Sequence, residues 1–280
     1  MADLDSLPPV RDIADRFGLR ARRSLGQNFL FDDNLLDRIA RAAGDLSTTE
    51  VVEVGPGPGG LTRALLRAGA PHVVAVEKDP RCIAALQELV AAAHGRLELV
   101  EADALSVELA TLTTTTPLIV GNLPFNAATE ILMRLLDRAE RVKGMVLMFQ
   151  REVGDRIAAV PGTKDYGRLS VMVQWRCAVE RCFEVPARAF VPPPKVQAVV
   201  LRLKPRAEPL YPADPAALRK VLMAAFGQRR KTLRNAMSTL SEHAVDLLET
   251  AGIDPGERAE RLSIEQFCAL ARAWSACEEK

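Results

Sequence analysis

The sequence predicts an α/β fold, with a mostly parallel sheet covered by helices, followed by a smaller all-α domain at the C-terminal end. Two observations carry this expectation. Between Thr49 and Gly121, short β-branched runs alternate with stretches rich in alanine and leucine, the signature of strands and helices wound into a parallel sheet. After Pro205 the strand signal stops, and apolar residues recur at three- and four-residue spacing, as in amphipathic helices.

Taken in order, strands are expected at 50–54 (EVVEV), 72–77 (HVVAVE), 97–102 (LELVEA) and 117–121 (PLIVG). The first three are followed by helical stretches, LTRALLRAG, PRCIAALQELVAAAHG and DALSVELATL. Further strands are expected at 145–150 (MVLMFQ), 169–177 (LSVMVQWRC) and 197–204 (QAVVLRLK), and the tract 111–116 reads as a loop. AALRKVLMAAF, RRKTLRNAMSTL, EHAVDLLETAG and SIEQFCALARAW read as C-terminal helices. Pro205, Pro209, Pro212 and Pro215 mark a linker, so the expected domains are residues 1–205 and 206–280.

The 280 residues are 48% hydrophobic and 26% charged, which supports a sizeable core and excludes a disordered chain. No stretch reaches the roughly 18 uninterrupted apolar residues of a membrane span, and MADLDSLPPV lacks the basic flank and apolar run of a secretion signal. A cytoplasmic protein without a membrane partner is expected, with monomer as the default. Five cysteines without a C-x2-C pair, beside three histidines, argue against a metal site or a disulfide framework. Cys177 and Cys182 are the one pair considered; isolated cysteines are more often small buried hydrophobes.

Net charge is only +1, but its distribution is uneven. Acid-free basic segments run from Arg16 to Phe31 (including Arg20, Arg22 and Arg23), from Val185 to Ala207, and from Pro215 to Ser241 (including Arg229, Arg230, Lys231 and Arg234). One such run reads as a solvated face; three together suit a phosphate backbone.

Glu53-Val-Gly-Pro-Gly-Pro-Gly-Gly closes a predicted strand and opens a helix. Gly55, Gly57 and Gly59 there would let a nucleotide-like ligand approach the backbone. Such a turn alone also fits dinucleotide sites and plain structural turns. Glu77 ends the second strand 22 residues after Gly55, where an acid in a Rossmann-like sheet bonds ribose hydroxyls. Asp103 ends the third, placed to accept a hydrogen bond from an adenine amine of the cofactor.

Asn122-Leu123-Pro124-Phe125 follows the fourth strand. An adenine N6 amine is a poor nucleophile because its lone pair is delocalised into the ring. Asn122 Oδ1 and the Leu123 carbonyl can accept its two hydrogens and draw the nitrogen towards tetrahedral geometry. Pro124 turns the backbone, and Phe125 offers a flat face for a base taken out of its stack. Combined with the glycine turn and the two acids, this points to a class I methyltransferase using S-adenosyl-L-methionine.

The chain resembles the bacterial ribosomal RNA adenine N6,N6-dimethyltransferases that modify two adjacent adenosines near the 3′ end of 16S rRNA. The resemblance is carried by Leu25-Gly-Gln-Asn-Phe-Leu30, Glu53 to Gly60, Asn122 to Asn126, Phe190-Val-Pro-Pro-Pro-Lys-Val196, Phe226 to Asn235 and Arg258 to Ser263. It implies that Asn28 and Leu30 close the methionine end of the cofactor pocket. Gly55, Glu77 and Asp103 would hold the nucleoside, Asn122 would contact both ligands, and Phe190 would supply a second aromatic face. It further implies 16S rRNA within the small subunit as partner and a role in subunit biogenesis, and the acid-free basic runs are expected to set rRNA phosphates on Arg22, Arg23, Arg229, Arg230, Lys231 and Arg234. The family usually has tyrosine at the position of Phe125. The alternatives are a 23S rRNA adenine methyltransferase of the macrolide-resistance type, a DNA adenine methyltransferase, and a mainly non-catalytic assembly factor.

Overall fold

A computed structural model describes residues 4–22, 25–228 and 230–278. The chain forms two compact units, a sheet unit of Met1–Gly154 with Glu180–Pro205 and a helical unit of Asp155–Val179 with Arg206–Lys280. The expected division after residue 205 coincides with one boundary between the units, but residues 155–179, expected in the first domain, belong to the helical unit. The chain also leaves the sheet unit after Gly154 and returns to it at Glu180.

In chain order the first elements are α1 (Val10–Arg16), β1 (Phe29–Leu30), α2 (Asp33–Ala42), β2 (Val51–Val54), α3 (Gly60–Arg67), β3 (Val73–Glu77), α4 (Pro80–Ala92) and β4 (Leu97–Glu101). They are followed by β5 (Leu118–Asn122), α5 (Ala128–Leu136), β6 (Gly144–Gln150), α6 (Arg151–Ala158), α7 (Arg168–Arg176), β7 (Cys177–Val185), β8 (Phe190–Val191) and β9 (Ala198–Pro205). Every residue of β2 and β3 is buried, which is why these strands read as continuous valine runs rather than alternating patterns. Helix starts are local: Asp32 accepts the Leu35 N–H at α2, and Asp79 accepts the Arg81 N–H at α4 with Pro80 in the first turn.

The seven-stranded sheet has the order β4-β3-β2-β5-β6-β9-β7. Strands β2 to β6 are mutually parallel, and β9 runs antiparallel to β6. The chain winds outward from β2 to β4, then crosses back to lay β5 on the other side of β2. At that reversal the connections leave in opposite directions, opening a crevice beyond the carboxyl ends of β2 and β5. Packing there is tight: a Cβ on Gly121 of β5 would lie 2.8 Å from the Val54 carbonyl oxygen. A second, two-stranded sheet pairs β1 with β8, setting Leu30 opposite Phe190 and Phe29 opposite Val191.

Two sequence expectations fail. Residues 169–177 are not a strand but lie mostly in α7, with β7 beginning at Cys177. The β-branched and aromatic residues of α7 are buried among the helical unit, and its polar groups find partners that only a helix offers. Ser170 Oγ accepts the Gly167 N–H and donates to the Arg156 carbonyl, while Gln174 Nε2 donates to the Ile157 and Ala159 carbonyls. Tertiary context overrides strand propensity here. Residues 103–112 form turns and a 3-10 helix at Leu109–Thr111 instead of an α-helix. Asp103 starts this by accepting the Leu105 N–H, a turn geometry that competes with helix.

The helical unit adds α8 (Pro215–Gly227), α9 (Leu233–Met237), α10 (Ala244–Thr250) and α11 (Ile264–Glu278) to α7. Its core includes Tyr166, Phe226 and Phe267, with successive ring centroids 6.2 and 5.4 Å apart. The Trp175 indole N–H donates to the Tyr211 carbonyl at 2.7 Å, giving a buried polar edge its partner. Among the described residues no helix is long and apolar enough to cross a membrane. All five cysteines are free thiols.

Candidate active site

The crevice at the β2–β5 reversal is a cavity walled by Leu25 to Leu30, Glu53 to Pro58, Glu77 and Lys78, Ala102 to Ala104, and Asn122 to Phe125, among others. The structure thus gathers Asn28, Leu30, Gly55, Gly57, Glu77, Asp103, Asn122, Leu123, Pro124 and Phe125 around one cavity.

The turn after β2 exists because of its glycines. Gly57 and Gly59 have φ of +55° and +90°, values that side chains strain to reach. A Cβ would meet the Phe29 ring at 3.0 Å from Gly57 and Leu86 Cδ2 at 2.6 Å from Gly59. The Gly57 N–H donates to Glu77 Oε2 at 3.1 Å, and the Lys78 and Asp79 N–H groups donate to Glu77 Oε1, each at 2.9 Å. Burial pushes the Glu77 carboxyl above its ordinary range, and these three main-chain donors pull against that rise. Asp103 is held below the usual carboxylate range, first by the Leu105 N–H and then by Lys78, whose Nζ lies 3.3 Å away.

On the other wall, Asn122 Nδ2 donates to the Asn28 carbonyl at 3.0 Å. A carbonyl can only accept, so this bond settles which end of the amide is which and leaves Oδ1 as the acceptor still available. Phe125 is half-buried and meets Phe190 edge to face, with centroids 6.2 Å apart and planes at 66°. Phe190 itself is buried in the core of the sheet unit and is not part of the cavity wall. A base could lie between the two rings only if they parted.

Sequence reasoning passed over Gln27 and Asp79. Gln27 Nε2 donates to Asp79 Oδ2 at 2.9 Å, and its Oε1 accepts the Arg22 N–H at 3.0 Å. Burial disfavours charge on Asp79, yet Arg81 and Gln27 together hold its carboxyl at about 2. The segment from Leu25 to Leu30 is therefore a strap, fastened to the β3 side through Gln27 and to the β5 side through Asn28. Glu53 was also missed; its signal was a lone acid inside a valine strand. It is 1% exposed, and neither carboxylate oxygen has a hydrogen-bonding partner.

Of the expected RNA-contacting residues, Arg22, Arg230, Lys231 and Arg234 are exposed, while Arg23 and Arg229 lie outside the described residues. The anticipated basic helix is corrected to a short one: Arg230 and Lys231 precede α9, and only Arg234 lies within it. Other members of the basic runs are engaged internally. Arg16 pairs with Glu88 at 2.9 Å, and Arg202 donates to the Ala42 carbonyl and pairs with Glu180 at 3.1 Å. Runs that are acid-free in sequence are not acid-free in space.

A glycine-turn cavity at the switch point of a seven-stranded sheet with one reversed strand, faced by an Asn-Leu-Pro-Phe turn, defines a Rossmann-like methyltransferase. Comparison with known proteins narrows the class. Residues 18–275 match the family described as ribosomal RNA adenine dimethylase, and the chain belongs to that family. It is 55% identical over 276 residues to a ribosomal RNA small subunit methyltransferase A of Paramagnetospirillum magneticum, covering 99% of this chain and 97% of that one. A Rhodospirillum rubrum protein of the same name is 54% identical over 269 residues, covering 96% and 93%. Among solved structures, a dimethyladenosine transferase from Plasmodium falciparum superposes with a TM-score of 0.77 at 26% identity, covering 89% of this chain and 98% of that one. The 23S rRNA methyltransferase ErmE gives 0.66 at 29%, covering 89% and 100%. The protein is accordingly an enzyme that methylates adenine in ribosomal RNA.

Proposed function

We propose that this enzyme dimethylates N6 of two adjacent adenosines near the 3′ end of 16S rRNA in the small ribosomal subunit, with S-adenosyl-L-methionine as methyl donor. The observation that carries the chemistry is the Asn122 amide, whose Nδ2 is tied to the strap so that Oδ1 remains to accept from an amine. The cavity residues fit the donor: left-handed glycines open the turn, and the charged wall residues are Glu53, Glu77, Asp103 and Lys78, a set biased towards a cationic ligand. When bound, the donor supplies a methyl group activated by its positive sulfur. Glu77 would accept from ribose hydroxyls and Asp103 from the adenine amine of the donor, while Asn28 and Leu30 close over its methionine end. Asn122 Oδ1 and the Leu123 carbonyl would take the two N6 hydrogens of the target, and Phe125, backed by Phe190, would stack on its ring. The methylated nitrogen is acidic and loses its proton to water, so no strong base is required.

The small-subunit target is supported by the names of the relatives that are more than 50% identical. In this reading the enzyme acts as a monomer in the cytoplasm, late in subunit biogenesis. Arg22, Arg230, Lys231 and Arg234 would contact rRNA phosphates, so affinity should fall steeply with salt. The test is to incubate the protein with labelled S-adenosylmethionine and small subunits lacking these methyl groups, then locate the modified nucleotides by mass spectrometry. Dimethyladenosine at two adjacent 3′-terminal positions is expected. Label confined to large-subunit rRNA would replace the target, and absence of label would replace catalysis with an assembly role.

A further inference from the structure

Among the described residues, Val191 and Val196 are the only large apolar side chains that the sheet unit exposes, each 40% accessible. Exposed valines scattered singly mean little, but these two belong to one loop with Pro192 and Pro193, which are exposed as well. The flanking strands place this loop on the acceptor side of the cavity. Along β8 successive side chains point to opposite faces, so Phe190 turns inward to the edge of Phe125 while Val191 turns out to solvent. At its other end the chain enters β9 at Ala198, opposite Gln150 of β6, two residues beyond the Met148 that pairs with Asn122. Strand β9 thus begins at the carboxyl edge of the sheet, two strand spacings or about 10 Å from β5. The exit is fixed too: Gln197 accepts the Arg151 main-chain N–H through its carbonyl at 2.8 Å and the Arg151 guanidinium through Oε1 at 3.3 Å. Charge around the loop has one sign. No acid lies between Glu184 and Glu208 in the sequence, and the exposed side chains of Arg188 and Lys195 have no acidic partner among the described residues.

We infer that the loop from Val191 to Val196 is a platform for the adenosine next to the one being methylated, with the unstacked base on the two valines and its phosphate on Lys195. The inference rests on the reading that the targets are two adjacent adenosines of 16S rRNA. Both bases must then use the Asn122 to Phe125 turn in succession, and drawing one out leaves its neighbour unstacked at the mouth of the site. An apolar surface there recovers part of the stacking that is lost. Valine and proline side chains also make no hydrogen bond to N6. The amine carries two N–H donors before modification and none after dimethylation, so a surface that ignores them accepts the neighbour in either state. The two cations without acids fit the phosphates beside that base, whereas an apolar protein partner would have no use for them.

The experiment uses small subunits lacking these methyl groups, either with both adenosines or with uridine in place of one. Single-turnover methylation with labelled S-adenosylmethionine is followed at each position by mass spectrometry. The double variant Val191→Ser with Val196→Ser should methylate two-adenosine subunits about fivefold more slowly, the order expected when two part-exposed valines lose an apolar contact. Its calorimetric donor affinity should equal that of the wild type, which reports a folded sheet unit. With uridine as the neighbour, a smaller face to rest on the loop, the wild type should slow by about threefold and the double variant hardly at all. Lys195→Ala should flatten the slope of log subunit affinity against log salt by about 0.7, the share of one phosphate on a single strand. An unchanged rate in the double variant, an equal slowing by uridine in both proteins, or an unchanged salt slope for Lys195→Ala overturns the inference and leaves the proposed function standing. Wild-type protein that fails to dimethylate the adjacent pair overturns the proposed function and the inference together.

Discussion

The two walls of the cavity are built differently. On the proposed donor side Glu77, the acid assigned to the donor's ribose in our reading, is locked by three main-chain N–H groups, and the glycine turn is held by backbone conformations that few residues reach. On the acceptor side Asn122 is oriented by one side-chain hydrogen bond to the strap, and Phe125 rests half-buried against the edge of Phe190. A wall made of main chain suits a ligand that never changes. Side chains that can be reset suit an adenine that must be drawn out of folded RNA and accepted once unmethylated and once already methylated. The strap from Leu25 to Leu30 touches both, through Gln27 to Asp79 and through Asn28 to Asn122.

The comparison breaks most sharply at Asn122. Asn122→Ala should lower single-turnover methylation by about 10²–10³-fold, the loss seen when one transition-state acceptor or donor is removed, while calorimetric donor affinity changes by less than about tenfold. A loss in donor binding that matched the loss in rate would mean the two walls are one. Glu53→Gln tests the donor side without touching the chemistry. A carboxyl raised from 4.5 to about 8 on folding binds its proton more tightly in the native state. Its contribution to stability is therefore full below the unfolded value and is lost as pH rises towards 8. Urea unfolding of the free wild-type protein should show about 2–3 kcal/mol of this loss between pH 5.5 and 7.5, and Glu53→Gln should not; parallel curves would refute it.

Phe125→Ala should weaken RNA binding and turnover by the roughly 1–3 kcal/mol that a base stack is worth, with donor affinity unchanged. Phe125→Tyr keeps the ring face and should be at least as active as wild type in the same turnover assay; lower turnover would show that the added hydroxyl finds no place beside Phe190. Gln27→Ala is expected to have the smallest effect and the most even one. Removing one part-buried hydrogen bond costs about 1 kcal/mol, so donor affinity and turnover should each fall about fivefold, since the strap serves both walls. A change confined to turnover would detach the strap from the donor side.

How legible all this was depended on the range of the interaction involved. The strand–glycine turn–helix at Val51 to Arg67, the acids Glu77 and Asp103 at strand ends, and the Asn122 to Phe125 turn are set by residues within a few positions of one another, and periodicity and turn chemistry reveal them. The same local logic misread residues 169–177, whose strand-like composition was overruled by polar partners as distant as Ile157 and by burial in the helical unit. It also could not see β1 and β8, two residues each, which exist only because Leu30 and Phe190 meet across 160 positions. The glycines, the acids and the tetrapeptide are thus the sequence's own contribution to the site. That Asn122 is aimed by Asn28, 94 residues away, that Gln27 clips the strap to Asp79, and that Glu53 is left without a donor were decided by tertiary structure alone. Hydrogen-bond partnership and burial depend on which strands become neighbours, and no short window of sequence carries that information.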